Sequence, residues 1–77
     1  MNKARRKELE KISSELTDLQ ERLQEVLSEE EDAYDNLPEG IQDGERGDEM
    51  QEYISKMEEA DYSLTEAIDN IDEIWNG

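Results

Sequence analysis

The sequence predicts an all-α fold: an antiparallel helical hairpin that pairs with a second copy of itself into a four-helix bundle. Three observations carry this expectation. Apolar residues recur at helical spacing in both halves of the chain, one turn-forming segment separates those halves, and nothing within the chain can staple a lone hairpin together. The whole is one domain of 77 residues.

In the first half, Leu9, Ile12, Leu16, Leu19, Leu23 and Val26 are separated by three and four residues in alternation, the a/d pattern of a coiled-coil seam. Leu27 widens the stripe. Asn2 is placed to cap the helix, which runs over about residues 3–36, because Pro38 disfavours helical geometry at Leu37. The loop, about residues 37–47, holds the chain's only proline and three of its four glycines. Asp48 then reads as the cap of a second helix over about residues 48–75. Gln51 completes a capping box, and Asp48, Glu49 and Glu52 suit the positive end of the helix dipole.

The second helix repeats the pattern in Met50, Tyr53, Met57, Ala60, Leu64, Ala67, Ile71 and Ile74. Beside that seam lies a further row at intervals of seven, Ile54, Asp61, Ile68 and Trp75. Neither row has the alternation of a strand. At about 1.5 Å per residue the helices span roughly 50 and 40 Å, a fair match for antiparallel packing.

A second copy is expected on two grounds. Chains this short bury only roughly 60% of the surface that they expose when unfolded. The usual supports are disulfides, metals or oligomerisation, and with no cysteine and no histidine only the last remains. The apolar stripe of the second helix is also wider than one neighbour covers, with Ile54, Ile68 and Trp75 left as an edge that a monomer should avoid. The core and dimer contact is therefore assigned to Leu9, Ile12, Leu16, Leu19, Leu23, Val26, Tyr53, Ile54, Met57, Leu64, Ile68, Ile71, Ile74 and Trp75.

Charge is the other dominant feature. The net charge is −16, and it is unevenly placed. Residues 1–11 carry five basic side chains against two acidic ones, a local +3, so the remaining 66 residues carry −19. An antiparallel hairpin would set Lys3, Arg5, Arg6 and Lys7 beside Asp69, Asp72 and Glu73, pairing two clusters that each oppose their own helix dipole. Such a body repels nucleic acid and anionic lipid and attracts basic surfaces. No apolar run reaches the about 18 residues needed to cross a bilayer, and none follows the basic start to form a signal peptide. A cytoplasmic protein that touches neither membrane nor nucleic acid is the expectation.

The residue inventory gives enzyme chemistry little footing, and no cofactor is expected. Without histidine, the five serines have no imidazole to activate them and the usual di-iron motif is impossible. The loop from Asp43 places Gly47 and Asp48 in the wrong order for a calcium loop, and its glycines lack a P-loop lysine. Asp48-Glu49-x-x-Glu52 followed by Glu66-x-x-Asp69 resembles the acidic Mg²⁺ signature of the all-α nucleotide pyrophosphohydrolases. In that family the half-motifs face each other from different helices. Here both fall on one helix, about 21 Å apart from Glu52 to Glu66, with no basic residue placed for phosphate. No catalytic, cofactor or metal residue is assigned.

Three segments, MNKARRKELEKI, DAYDNLPEGIQDGERGDEM and EEADYSLTEAIDNIDEI, cover most of the chain. Through them it resembles small acidic two-helix proteins of bacteriophages and mobile elements of Gram-positive bacteria. That resemblance implies an accessory protein and supplies no catalytic residue. Two function classes fit it. One is an inhibitor of DNA-mimic type, whose carboxylates occupy the basic groove of a host or defence protein. Its acidic face would comprise Glu15, Asp18, Glu25, Glu29, Glu30, Glu31, Asp32, Glu58, Glu59 and Asp61. The other is a structural or assembly module that docks through its loop or an apolar helix face, with the charge serving only solubility.

Overall fold

The computed structural model describes Met1–Gly77, and it is all helical. Helix α1 runs Lys3–Asp35, a single turn α2 runs Glu39–Gln42, and helix α3 runs Glu45–Trp75. The two long helices lie side by side in a rod 58 Å long and only 14 × 13 Å across its backbone. Each boundary has a local cause. The side chain of Asn2 accepts a hydrogen bond from the Arg5 amide at 2.8 Å, the cap that the sequence predicts. Helix α1 stops at its cap residue Asn36, two residues before Pro38. The Gln42 side chain then donates to the Tyr34 carbonyl at 2.9 Å, satisfying one of the acceptors that a helix end leaves free.

The start of α3 differs from expectation. Asp48 is not the cap; its amide already bonds the Gly44 carbonyl at 3.0 Å, so the helix begins three residues earlier with Gly44 as a cap that offers no side chain. The cause is the tight corner between α2 and α3. A Cβ on Gly47 would lie 1.9 Å from the Gln42 carbonyl oxygen, so only glycine lets the backbones approach this closely. No residue has positive φ, and steric clearance rather than left-handed geometry explains this glycine.

The packing seam also differs from the row of apolar residues read above. In α1 the residues drawn out of solvent are Leu9, Ser13, Leu16, Gln20, Leu23, Leu27, Glu30 and Tyr34. In α3 they are Gly47, Met50, Ile54, Met57, Asp61, Leu64, Ile68, Ile71 and Trp75, joined from the flanks by Ala67 and Asp72. Numbering the heptad so that Ser13 and Ile54 are a positions, the seam is a and d in both helices. Half of each expected row survives, namely Leu9, Leu16 and Leu23 with Met50, Met57, Leu64 and Ile71. The partner row in α1 is mostly polar, and in α3 it is the Ile54, Ile68 and Trp75 line, expected to contact a second copy, that α1 covers instead.

Four cross-helix hydrogen bonds between side chains explain the choice. Ser13 donates to Asp72, Gln20 donates to Thr65 at 2.8 Å, Gln24 donates to Asp61 at 3.0 Å, and Gln51 donates to Tyr34 at 2.8 Å. In every pair the two residue numbers total 85, so the bonds define one register. That register rules out the predicted pairing of the termini. Lys3, Arg5, Arg6 and Lys7 would need partners beyond Trp75, where α3 stops, and no ion pair forms between them and Asp69, Asp72 or Glu73. The first two turns of α1 project past α3 instead.

Candidate interaction surfaces

A two-helix rod of this width encloses very little. Only Ser13, Gly47 and Ile68 are buried, and no large side chain is fully shielded. With so little enclosed, the surfaces the hairpin offers are its outer faces. The seam has two flanks, and they are opposites.

On one flank lie the e positions: Glu10, Thr17, Gln24 and Glu31 of α1, with Gln51, Glu58, Thr65 and Asp72 of α3. All are polar, and the four register-setting hydrogen bonds each join an e residue to an a residue across the seam. Gln20 also donates to the Asp61 carbonyl at 3.1 Å, and the indole of Trp75 donates to the Asp72 carboxylate at 2.7 Å. This flank is closed by its own polar network.

On the other flank lie the g positions, and within the helical overlap all are apolar: Ile12, Leu19, Val26 and Ala33 of α1, with Tyr53, Ala60, Ala67 and Ile74 of α3. Antiparallel packing brings g rows together on one side. The layers therefore pair Ile12 with Ile74, Leu19 with Ala67, Val26 with Ala60, and Ala33 with Tyr53. The last pair shares one surface depression with Glu30, Arg46, Glu49 and Met50. The large members stay well exposed: Ile12 36%, Leu19 49%, Val26 52%, Tyr53 53% and Ile74 44%. Those fractions correspond to roughly 400–500 Å² of apolar surface, within the about 300–600 Å² that the largest and often functional patch of a monomer spans. Five residues expected in the core or dimer contact, Ile12, Leu19, Val26, Tyr53 and Ile74, thus stand on this flank rather than in the seam. The remaining nine lie along the seam.

The outward f positions form the third face. Beyond Ala4 and Lys11 near the start of α1 they are all acidic and exposed, Asp18, Glu25 and Asp32 on α1 and Glu45, Glu52, Glu59, Glu66 and Glu73 on α3, about 10.5 Å apart along each helix. Of the acidic residues predicted for this face, Glu15, Asp18, Glu25, Glu29, Glu31, Asp32, Glu58 and Glu59 are exposed, whereas Glu30 and Asp61 turn toward the seam. Asp61 is held there by Gln24. The f row of α3 was legible in the sequence as glutamates at intervals of seven, once the seam was correctly placed. By contrast, Arg22 and Lys56 sit at c positions and Arg46 at a g position. The three basic residues outside the amino-terminal segment therefore all border the apolar flank.

Glu49 adds one local perturbation. Its carboxylate accepts the Tyr53 hydroxyl at 2.7 Å, and that hydrogen bond, followed by the carboxylate's charge, raises the Tyr53 pKa above its ordinary value. The carboxylates of the pyrophosphohydrolase-like pattern, Asp48, Glu49, Glu52, Glu66 and Asp69, all lie on α3, and no group of three acids gathers into metal-holding geometry. No helix is long and apolar enough to cross a membrane. The class defined so far is an all-α, elongated helical hairpin with one apolar flank and an anionic exterior. Set against known proteins, the chain matches no family model, no curated protein and no solved structure.

Proposed function

We propose that the chain is a non-enzymatic interaction protein. Two hairpins join through their apolar flanks into a four-helix bundle, and its anionic exterior occupies the basic nucleic-acid groove of a partner protein. The observation that carries this is the separation of apolar and acidic rows onto different faces. A lone hairpin leaves the apolar flank in water, whereas a pair covers it and keeps every f-row carboxylate outside.

The charge spacing supports mimicry of nucleic acid. A net −16 spread along 58 Å is one charge per roughly 3.6 Å. Each strand of a DNA duplex carries one per about 3.4 Å of helix axis, and the duplex as a whole one per about 1.7 Å. Two copies side by side halve the protein's interval to roughly 1.8 Å, the duplex value. A partner evolved to neutralise phosphates would meet a comparable charge density here. An accessory protein of a bacteriophage or mobile element, acting on a host or defence factor, is the setting that fits.

The test is affinity capture from bacterial lysate with the tagged protein, repeated in rising salt, with duplex DNA as competitor, and with Glu45, Glu52, Glu59 and Glu66 replaced by Gln. Mimicry requires a nucleic-acid-binding partner that duplex DNA displaces, that salt releases, and that the four-fold variant retains poorly. A partner indifferent to all three treatments would instead identify an assembly module that docks by apolar contact.

A further inference from the structure

The amino-terminal overhang of α1 has no use within one hairpin. Lys3, Arg5, Arg6 and Lys7 are exposed, lack an ion-pair partner, and run past the end of α3. In the heptad frame Arg5 is a g residue and Arg6 an a residue. They therefore continue the apolar flank and the seam as a basic extension of the same side. At the opposite end the rod is acidic: Asp32, Asp35, Glu39, Asp43, Glu45 and Asp48 surround the turn with only Arg46 among them.

We infer that the two hairpins of the bundle lie antiparallel, so that the basic overhang of each copy seats on the acidic turn of the other. This rests on the dimer proposed above and fixes its orientation. The apolar flank is centred between the Leu19 and Val26 layers. A two-fold axis there, perpendicular to the rod, lays α1 against α1 with residue numbers totalling 45. The overhang of one copy then runs past the level of Asp35, where α1 of the other ends, and meets the acidic turn that carries Glu39 and Asp43. A parallel pair, with both turns at one end, would instead crowd two basic overhangs together and two acidic turns together.

The middle of the face opposes this choice only weakly. It brings Arg22 of the two copies level, and likewise Glu15 of each copy with Glu29 of the other, exposed like-charge pairs of the kind that each contribute little. Four basic side chains meeting an acidic turn, twice over, outweigh them.

Area argues the same way. The apolar flank alone supplies roughly 800–1,000 Å² across two copies, short of the about 1,200 Å² at which stable interfaces begin. Seating both overhangs on the acidic turns extends the contact toward that range.

A single nitroxide label reports the orientation. The chain has no cysteine, and a Cβ on Gly40 meets nothing within 4 Å, so Gly40→Cys gives one label site at the turn without disturbing it. Pulsed dipolar spectroscopy on the full chain should return a separation of about 50 Å between the two turns. A separation below about 25 Å would overturn the antiparallel arrangement while leaving the dimer standing. A labelled protein that sediments as a monomer would remove the dimer, and this inference with it. As a second measurement, Arg5→Glu with Arg6→Glu should weaken dimerisation at least tenfold at low salt. Adding Glu39→Lys and Asp43→Lys to the same chain should restore it. Failure of that charge swap to restore the dimer would equally defeat the assignment.

Discussion

Replacing Leu19 and Val26 together by Ala should dissolve the proposed dimer without unwinding the helices. Both side chains are about half exposed in the single hairpin, so half of their burial is still available to a partner. The double change removes five carbons per copy. At about 0.8 kcal/mol per buried carbon and half burial, that is about 2 kcal/mol per copy, or about 4 kcal/mol per dimer. Each 1.4 kcal/mol is about a tenfold change, so the dissociation constant should rise by roughly a thousand. Alanine is the strongest helix former, which keeps a loss of helix from imitating the effect.

Sedimentation equilibrium gives the constant, and circular dichroism on the same samples gives the helix content. A companion variant, Ala60→Glu, reaches the same face without removing any apolar contact. Ala60 is exposed, so the hairpin should tolerate the change, but a dimer would bury an unpaired carboxylate from each copy at a cost of several kcal/mol. An unchanged dissociation constant in both variants would place the contact elsewhere and refute the assignment of the flank.

Three further outcomes follow from the geometry. Gly47→Ala should lower the melting temperature by at least about 5 °C, because its Cβ would strike the Gln42 backbone, whereas Gly40→Ala, with open space around it, should be neutral or slightly stabilising. Asp72→Ala removes the acceptor shared by Ser13 and Trp75. Leaving the buried Ser13 hydroxyl unpaired should cost about 1–3 kcal/mol in thermal or urea unfolding, with a red shift in tryptophan emission. Finally, Glu49→Gln should bring the Tyr53 phenol back toward its ordinary value in a spectrophotometric titration. Since folding raises that pKa, any associated stability is present below the unfolded value and is lost as pH rises through the folded one.

Helix type, the position of the turn and the Asn2 cap were legible in the sequence because they depend on local chemistry: heptad spacing, a proline with clustered glycines, and an amide-bearing side chain at a helix start. The helix flank that would pack was not. Leucines at Leu9, Leu16 and Leu23 belong to two possible stripes, one completed by Ile12, Leu19 and Val26, the other by Ser13, Gln20, Leu27 and Tyr34. Hydrophobicity favours the first, and the fold uses the second. The difference lies in partners that a single helix cannot reveal, because Ser13 and Gln20 become good seam residues only when Asp72, Asp61 and Thr65 stand opposite. The missing salt bridges have the same origin. Charge pattern suggested which clusters attract, but the register decides which of them can meet.

A polar seam beside an apolar flank is also what lets one sequence specify two different contacts. Slide α3 by one heptad and Leu16, Leu23 and Leu27 still meet apolar neighbours in Trp75, Ile68 and Leu64, so apolar contact alone scarcely resists the slip. The polar pairs do resist it: Gln24 would face Ile68, and Ser13 would face a level beyond the end of α3. Polar seam residues of this kind specify alignment at some expense in stability. The expense is visible in a hairpin with only three buried residues. The fixed register in turn sets Ile12 beside Ile74 and Leu19 beside Ala67, so that two half-exposed rows merge into one continuous face, and it carries the basic overhang past the end of α3. Polarity inside the hairpin therefore prepares both features that a second copy would use, while the apolar contact between copies would supply the stability that the hairpin alone gives up.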